Sequence, residues 1–219
     1  MKIVLHSYWR SSASHRVRIG LGLKELAYDY VAVNILDGGQ STEGYLAKNP
    51  MAQVPTLELT ADDGARLTLT QSLPILEYLD ERWPEHPLLP RDPVLRAKTR
   101  ALAEIVNAGI QPLQNLIVMR RVKQLGGDEL AWVQPFIAAG LTAFAKLAEH
   151  TAGAFSVGDA PTLADICLMP QLGAARRYKV ELDSTFDRLL AIEARCLALP
   201  AFANAVPERQ PDAAKTVTP

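Results

Sequence analysis

Four prolines fall within ten residues, Pro84, Pro87, Pro90 and Pro93, and the texture of the chain changes across them. Before them, short alternating or β-branched runs take turns with amphipathic ones. After them, every periodic stretch has helical spacing. This division predicts two domains: a mixed α/β domain over residues 1–84, a proline-rich linker at 85–92, and an all-helical domain over 93–219.

The first domain reads as a strand over 2–8, a helix over 12–25 and a β-branched strand from Tyr28 to Ile35, followed by a short helix near 41–47. A third strand covers 54–59. The turn Asp62-Asp63-Gly64 leads into a fourth, Arg66 to Thr70, and Ser72 is placed to cap a helix through Trp83. The order β-α-β-α-β-β-α is the thioredoxin-like arrangement. Pro55 at a strand start has two readings, an ordinary trans proline or a cis bond that exposes the backbone of Val54. In the second domain a long helical pattern covers 93–124, bent at Pro112 and ended by Gly126-Gly127, and another covers 128–150. Thr162-Leu163-Ala164-Asp165 is a capping-box signature opening an apolar helix to about Arg176. Residues 184–197 and 199–205 give two more helices, and the tail from Pro207 reads as polar and irregular.

The net charge of −1 argues against a nucleic-acid or anionic-membrane surface. No run approaches the roughly eighteen apolar residues of a membrane span, and no signal-peptide pattern follows Lys2. Cys167 and Cys196 make no disulfide framework, so a reducing, cytoplasmic setting is expected. The four histidines lack metal-ligand spacing, and no metal is expected.

The stretch from Tyr8 to Arg18 joins a strand to a helix and carries three serines, Ser11, Ser12 and Ser14. First-turn amides and the positive end of a helix dipole suit an anion there, although each serine could equally be a plain N-cap. No cysteine stands at this turn, so a thiol–disulfide oxidoreductase is excluded and a bound anion has to come from a ligand.

Seven segments together resemble the zeta class of the soluble glutathione transferases: RSSASHRVRIGL (10–21), DGGQ (37–40), NPMAQVPTL (49–57), QSLPILEYL (71–79), IQPLQNL (110–116), VGDAPTLADICLMPQ (157–171) and RRYKVEL (176–182). They lie in the family's order and span nearly the whole chain. The resemblance implies a thioredoxin-like N-terminal domain with an all-α C-terminal domain, glutathione as cofactor, and a homodimer. It also implies cis–trans isomerisation of maleylacetoacetate, a small dicarboxylate, by reversible thiolate addition. Ser11 then corresponds to the thiolate-stabilising hydroxyl, with Ser12 beside it. Gln71 and Ser72 grip the γ-glutamyl end, Val54 forms the backbone clamp on the cysteinyl unit, Gln53 beside it is a further glutathione contact, and Gln40 lies near the glycyl carboxylate. Gln111 and Asn115, four apart on one helix face, project from the helical domain as further glutathione contacts. Arg10, grouped with Ser11 and Ser12 as catalytic, and Arg177 are the expected cations for the enolate-like intermediate and the substrate carboxylates. Spacing alone does not separate Arg177 from Arg176. Arg16 and Arg18 are expected to be solvated or structural, His15 to lie on the helix surface, and Thr162, Asp165 and Cys167 to be structural.

Two departures stand out. Ala13 replaces a cysteine often found in the family, and His15 replaces a tryptophan. The triplet Ser14-His15-Arg16 also occurs in related maleylpyruvate isomerases, but those tend to carry histidine and arginine where this chain reads IQPLQNL. Maleylpyruvate, small α-halo acids and a non-catalytic glutathione-binding module remain the alternatives. The intact Ser11, Gln71 and Ser72 favour catalysis over docking.

Overall fold

The computed structural model describes residues 1–213 as two compact units. One holds Met1–Pro87 and the described residues from Leu199 onward, and the other holds Leu88–Ala198. The boundary falls inside the expected linker, but the helical unit ends at Ala198. The described residues after it group with the N-terminal unit rather than the helical one.

The first unit is built on a four-stranded sheet in the order β2-β1-β3-β4, from β1 (Lys2–Ser7), β2 (Asp29–Ala32), β3 (Thr56–Thr60) and β4 (Arg66–Thr70). β1 runs parallel to β2 and antiparallel to β3, and β3 pairs antiparallel with β4. The hairpin closes through Gly64, whose φ of +86° suits a residue without Cβ, and the Asp63 carboxylate accepts the Ala65 amide at 2.9 Å. β2 is shorter than the alternation of Tyr28 to Ile35 suggests.

Helices α1 (Ser12–Leu23), α2 (Glu43–Leu46) and α3 (Ser72–Arg82) complete this part. Ile3 and Leu5 of β1 pack with Val17 and Leu21 of α1, Leu57 and Leu59 of β3, and Ile75 and Leu79 of α3. This core fixes both ends that matter for the site, the β1–α1 turn and the start of α3. The Val54–Pro55 bond is cis, as one of the two sequence readings has it.

The second unit contains α4 (Pro93–Glu104), α5 (Leu116–Gln124), α6 (Glu129–Ala148), α7 (Leu163–Arg177) and α8 (Asp187–Leu197). The single bent helix expected over 93–124 is instead two helices. A widened π turn over Ile105–Ile110 and a 3₁₀ turn over Gln111–Gln114 separate them, and Asn115 caps α5 through its side chain. Pro112 supplies no amide for an α-helical bond, and Asn115 offers the backbone a cap, so the helix stops and restarts. α7 is the buried core helix of this unit. Asp165 is fully buried and accepts from Ser156 N at 2.8 Å, Thr162 N at 2.8 Å and Thr162 Oγ1 at 3.0 Å. α6 has the length and hydropathy to cross a membrane, but Val133, Ile137, Leu141 and Phe144 form a buried stripe at helical spacing, the pattern of a core helix.

The last helix, α9 (Pro200–Ala203), lies against α1 in the first unit. The approach is close: a Cβ on Gly22 would stand 3.1 Å from Ala201.

Candidate functional site

Ser11 is the N-cap of α1, in extended backbone with φ −69° and ψ 121°. Its amide donates to Tyr8 O at 3.0 Å, and its Oγ accepts from Ser14 N at 3.2 Å. A hydroxyl that accepts one amide still carries a proton to donate, and among the described residues no acceptor takes it. The capping and anion readings of Ser11 are therefore compatible. Ser12, the first residue of α1, adds its hydroxyl and a first-turn amide that has no acceptor within the helix. Arg10 is exposed, its guanidinium 5.6 Å from the Trp9 ring centre.

The turn is held from below by residues the sequence does not advertise. Arg18 is 2 % exposed and donates to Ser7 Oγ at 3.2 Å, Trp9 O at 3.0 Å and Ala205 O at 3.0 Å. Burial lowers its pKa to about 10, which leaves it charged at neutral pH. Asp212 takes the Trp9 amide at 3.0 Å and the Tyr30 hydroxyl at 2.7 Å, so the tail clasps the same turn. Arg16 is also buried and donates to Ser72 Oγ at 3.2 Å. Of the two roles expected for these arginines, both take the structural one.

His15 is not on the helix surface: it is 6 % exposed. Burial, followed by the positive charges of Arg18 and Arg16, pushes its pKa down to about 3, so it is neutral at pH 7 and a poor general base. The unfolded chain, with a histidine pKa near 6.5, binds a proton that the folded chain refuses between about pH 6.5 and 3. Stability from this group is complete above pH 6.5 and is lost as pH falls below it, at about 1.4 kcal/mol per unit. Urea unfolding at pH 7.5 and pH 5 is expected to show a loss of about 2 kcal/mol that His15→Gln does not show.

Gln71, not Ser72 as expected, is the N-cap residue of α3, and among the described residues no side chain caps this helix. Gln71 has φ +68° and ψ 125°, a conformation costing a non-glycine residue about 1–3 kcal/mol. Such strain, held at a helix N-terminus beside the buried Ser72, fits a side chain aimed for a ligand. Val54 is buried with Tyr8, Val33 and Tyr45, and among the described residues neither of its backbone groups has a hydrogen-bond partner. The Gln53 carbonyl is engaged inside the unit, accepting from the Tyr45 hydroxyl and the Asn49 side-chain amide. Gln40 sits in the 3₁₀ turn Gly39–Ser41 with its Oε1 buried and unpartnered among the described residues.

In the second unit, Gln111 and Asn115 do not share a helix face. Gln111 opens the 3₁₀ turn, and the Asn115 side chain accepts from Ile117 N at 3.1 Å as a cap. Sequence reasoning passed over the neighbour between them, Gln114, which is buried and forms a reciprocal amide pair with Gln171 at 3.1 Å in both directions. Arg176 is bound by both guanidinium branches to the carboxylate of Glu193. Arg177 is exposed, with its guanidinium 5.0 Å from the Tyr178 ring centre and no carboxylate partner among the described residues.

These features fit a thiol tripeptide: a proton donor at a helix start, an open backbone edge before a cis proline, and a strained glutamine at a second helix start. Comparison with known proteins agrees. Residues 10–82 match the glutathione S-transferase N-terminal domain. The chain is 45% identical to maleylacetoacetate isomerase of Mus musculus, over 96% of this chain and 95% of that one. The maleylacetoacetate isomerase of Anaeromyxobacter dehalogenans, solved with glutathione bound in its active site, is 49% identical with a TM-score of 0.89, covering 97% and 98% of the two chains. The same enzyme has been solved with dicarboxyethyl glutathione and citrate, at 48% identity, a TM-score of 0.88 and 97% coverage of each chain. A bacterial zeta-class maleylpyruvate isomerase is 39% identical with a TM-score of 0.88, over 95% and 99% of the two chains. The chain belongs to the zeta class of the glutathione transferases.

Proposed function

We propose that this protein is a glutathione-dependent cis–trans isomerase of maleylacetoacetate. The observation that carries the reading is the Ser11 hydroxyl, fixed as an N-cap yet with its proton still available at the positive end of α1. Bound glutathione supplies a thiolate that adds to the cis double bond, lets it rotate as a single bond, and leaves again. Ser11 donates to that sulfur, with Ser12 adding a first-turn amide or hydroxyl. Gln71 and Ser72 hold the γ-glutamyl carboxylate, the Val54 backbone pairs with the cysteinyl unit, and Gln40 faces the glycyl end.

Arg10 and Arg177 are the proposed partners of the substrate carboxylates, since the guanidinium of Arg176 is already occupied by Glu193. The dicarboxyethyl glutathione bound in the Anaeromyxobacter relative supports the reading, because adding a thiol across a cis-butenedioate makes such a group. With Asn115 occupied as a cap, a glutathione role for it and for Gln111 rests on the family resemblance alone. Maleylpyruvate is the second reading, favoured by the 39% identical relative of that activity and by Ser14-His15-Arg16. The proposal extends to a cytoplasmic homodimer, for which the exposed Met51 (62 %) and Val94 (61 %) offer apolar surface.

An absorbance assay with each maleyl substrate, with and without glutathione, tests the reading. Turnover is expected only with glutathione and faster on maleylacetoacetate; turnover that ignores glutathione overturns it. The arginine assignment is checked in the same assay. Arg177→Leu is expected to raise the substrate KM about tenfold, the worth of one charge-assisted contact, while Arg176→Leu leaves KM within about twofold.

A further inference from the structure

The loop that presents Val54 is held by a polar network with no evident part in the chemistry. The Gln53 carbonyl receives the Tyr45 hydroxyl at 2.6 Å and the Asn49 side-chain amide at 2.7 Å, which occupies both of its lone pairs. Asn49 is 2 % exposed and uses its other side-chain atom to accept Met51 N at 3.1 Å. Tyr45 is 5 % exposed, and its hydroxyl also meets Thr56 Oγ1 at 2.9 Å at the start of β3. Burial raises the pKa of this phenol, so it stays a donor at neutral pH.

The Gln53–Val54 bond is trans; the cis bond is the next one. In a trans peptide the N–H points opposite to the C=O of the same plane. Two donors on the Gln53 oxygen therefore fix the direction of the Val54 N–H, and by polarising the amide they make that N–H a stronger donor.

We propose that Tyr45 and Asn49 are positioning residues for glutathione, aiming the Val54 amide by clamping the Gln53–Val54 peptide plane from behind. This rests on the assignment of Val54 as the backbone contact to the cysteinyl unit. Neither side chain touches the reacting atoms, so their loss reads out in cofactor affinity and leaves the rate at saturation intact.

Tyr45→Phe removes one donor and keeps the ring. Calorimetry with S-methylglutathione is expected to show a Kd about tenfold higher than wild type, with kcat at saturating glutathione within about twofold. In ¹⁵N–¹H spectra the Val54 amide proton of wild type moves downfield on adding S-methylglutathione, and Tyr45→Phe reduces that movement. A role confined to stability would lower the unfolding temperature and leave both readouts unmoved. If Tyr45→Phe does not fold, Thr56→Val serves instead: it frees the phenol on one side only, and Kd rises about threefold. A Kd within about twofold of wild type in Tyr45→Phe, or in Thr56→Val where that variant stands in, overturns the positioning role and leaves the glutathione site standing. A Val54 amide that ignores the ligand in wild type overturns the positioning role too. Wild type that fails to bind S-methylglutathione removes the glutathione reading, and the positioning role with it.

Discussion

Ser11→Ala is expected to lower kcat/KM about 10- to 150-fold, the equivalent of one charge-assisted hydrogen bond of about 1.5–3 kcal/mol. A free thiol with a pKa near 8.5 is only a few per cent ionised at neutral pH, and lowering it by two units takes about 2.7 kcal/mol. On the proposed role the hydroxyl is expected to supply most of that, with about 0.3–1 kcal/mol from the α1 dipole. Alanine also removes the cap on Ser14 N, which costs about 0.5–2 kcal/mol of stability, so the variant alone mixes two effects. Ser11→Asp separates them. Aspartate caps a helix as well as serine does, but at neutral pH it has no proton to give and repels an anion. Its unfolding free energy is expected to match wild type, and its turnover to fall below that of Ser11→Ala. Steady-state kinetics and urea unfolding on the three proteins check both statements.

Asp165→Ala is the substitution expected to damage folding most, by about 3–5 kcal/mol. The sequence pattern alone suggests an ordinary cap worth about 0.5–2 kcal/mol. The structure raises that figure, because the carboxylate also holds Ser156 N, nine residues upstream, and lies at 0 % exposure. Alanine leaves the Ser156 and Thr162 amides buried without acceptors, at about 1–3 kcal/mol each. Asn in its place preserves the volume but presents an amide donor where one of these N–H groups points, so it recovers only part of the loss. Urea unfolding followed by far-UV circular dichroism measures this directly; a loss under about 1 kcal/mol contradicts the account.

Much of the first unit is legible because its signals are local. The Asp62-Asp63-Gly64 turn, the strand at Arg66–Thr70 and the proline at 55 each announce themselves within a few residues, whereas the cap expected of Ser72 falls one residue earlier, on Gln71. The serine turn is legible for the same reason: a cap is a short-range feature. What escapes is whatever depends on distant chain. Arg16, Arg18 and His15 read as a polar helix face, yet residues 14–21 of α1 are all buried. Their partners include Ala205 and Ser72, which no periodicity ties to α1.

The tail reads as irregular polar surface, although Asp212 reaches back 203 residues to the Trp9 amide. The break at 105–115 escapes because each half keeps helical spacing. Only backbone bonding shows that Pro112 and Asn115 end one helix and begin another. That Arg176 is paired also escapes, because its partner, Glu193, lies on another helix.

On the proposed function, the reactive sulfur belongs to a bound tripeptide and is kept anionic by Ser11. Ultraviolet titration of the thiolate in the glutathione complexes of wild type and Ser11→Ala measures this. The bound thiol pKa is expected to lie about two units below the free value of about 8.5 in wild type and to return most of the way in Ser11→Ala. Identical, unshifted titrations in the two proteins would contradict it.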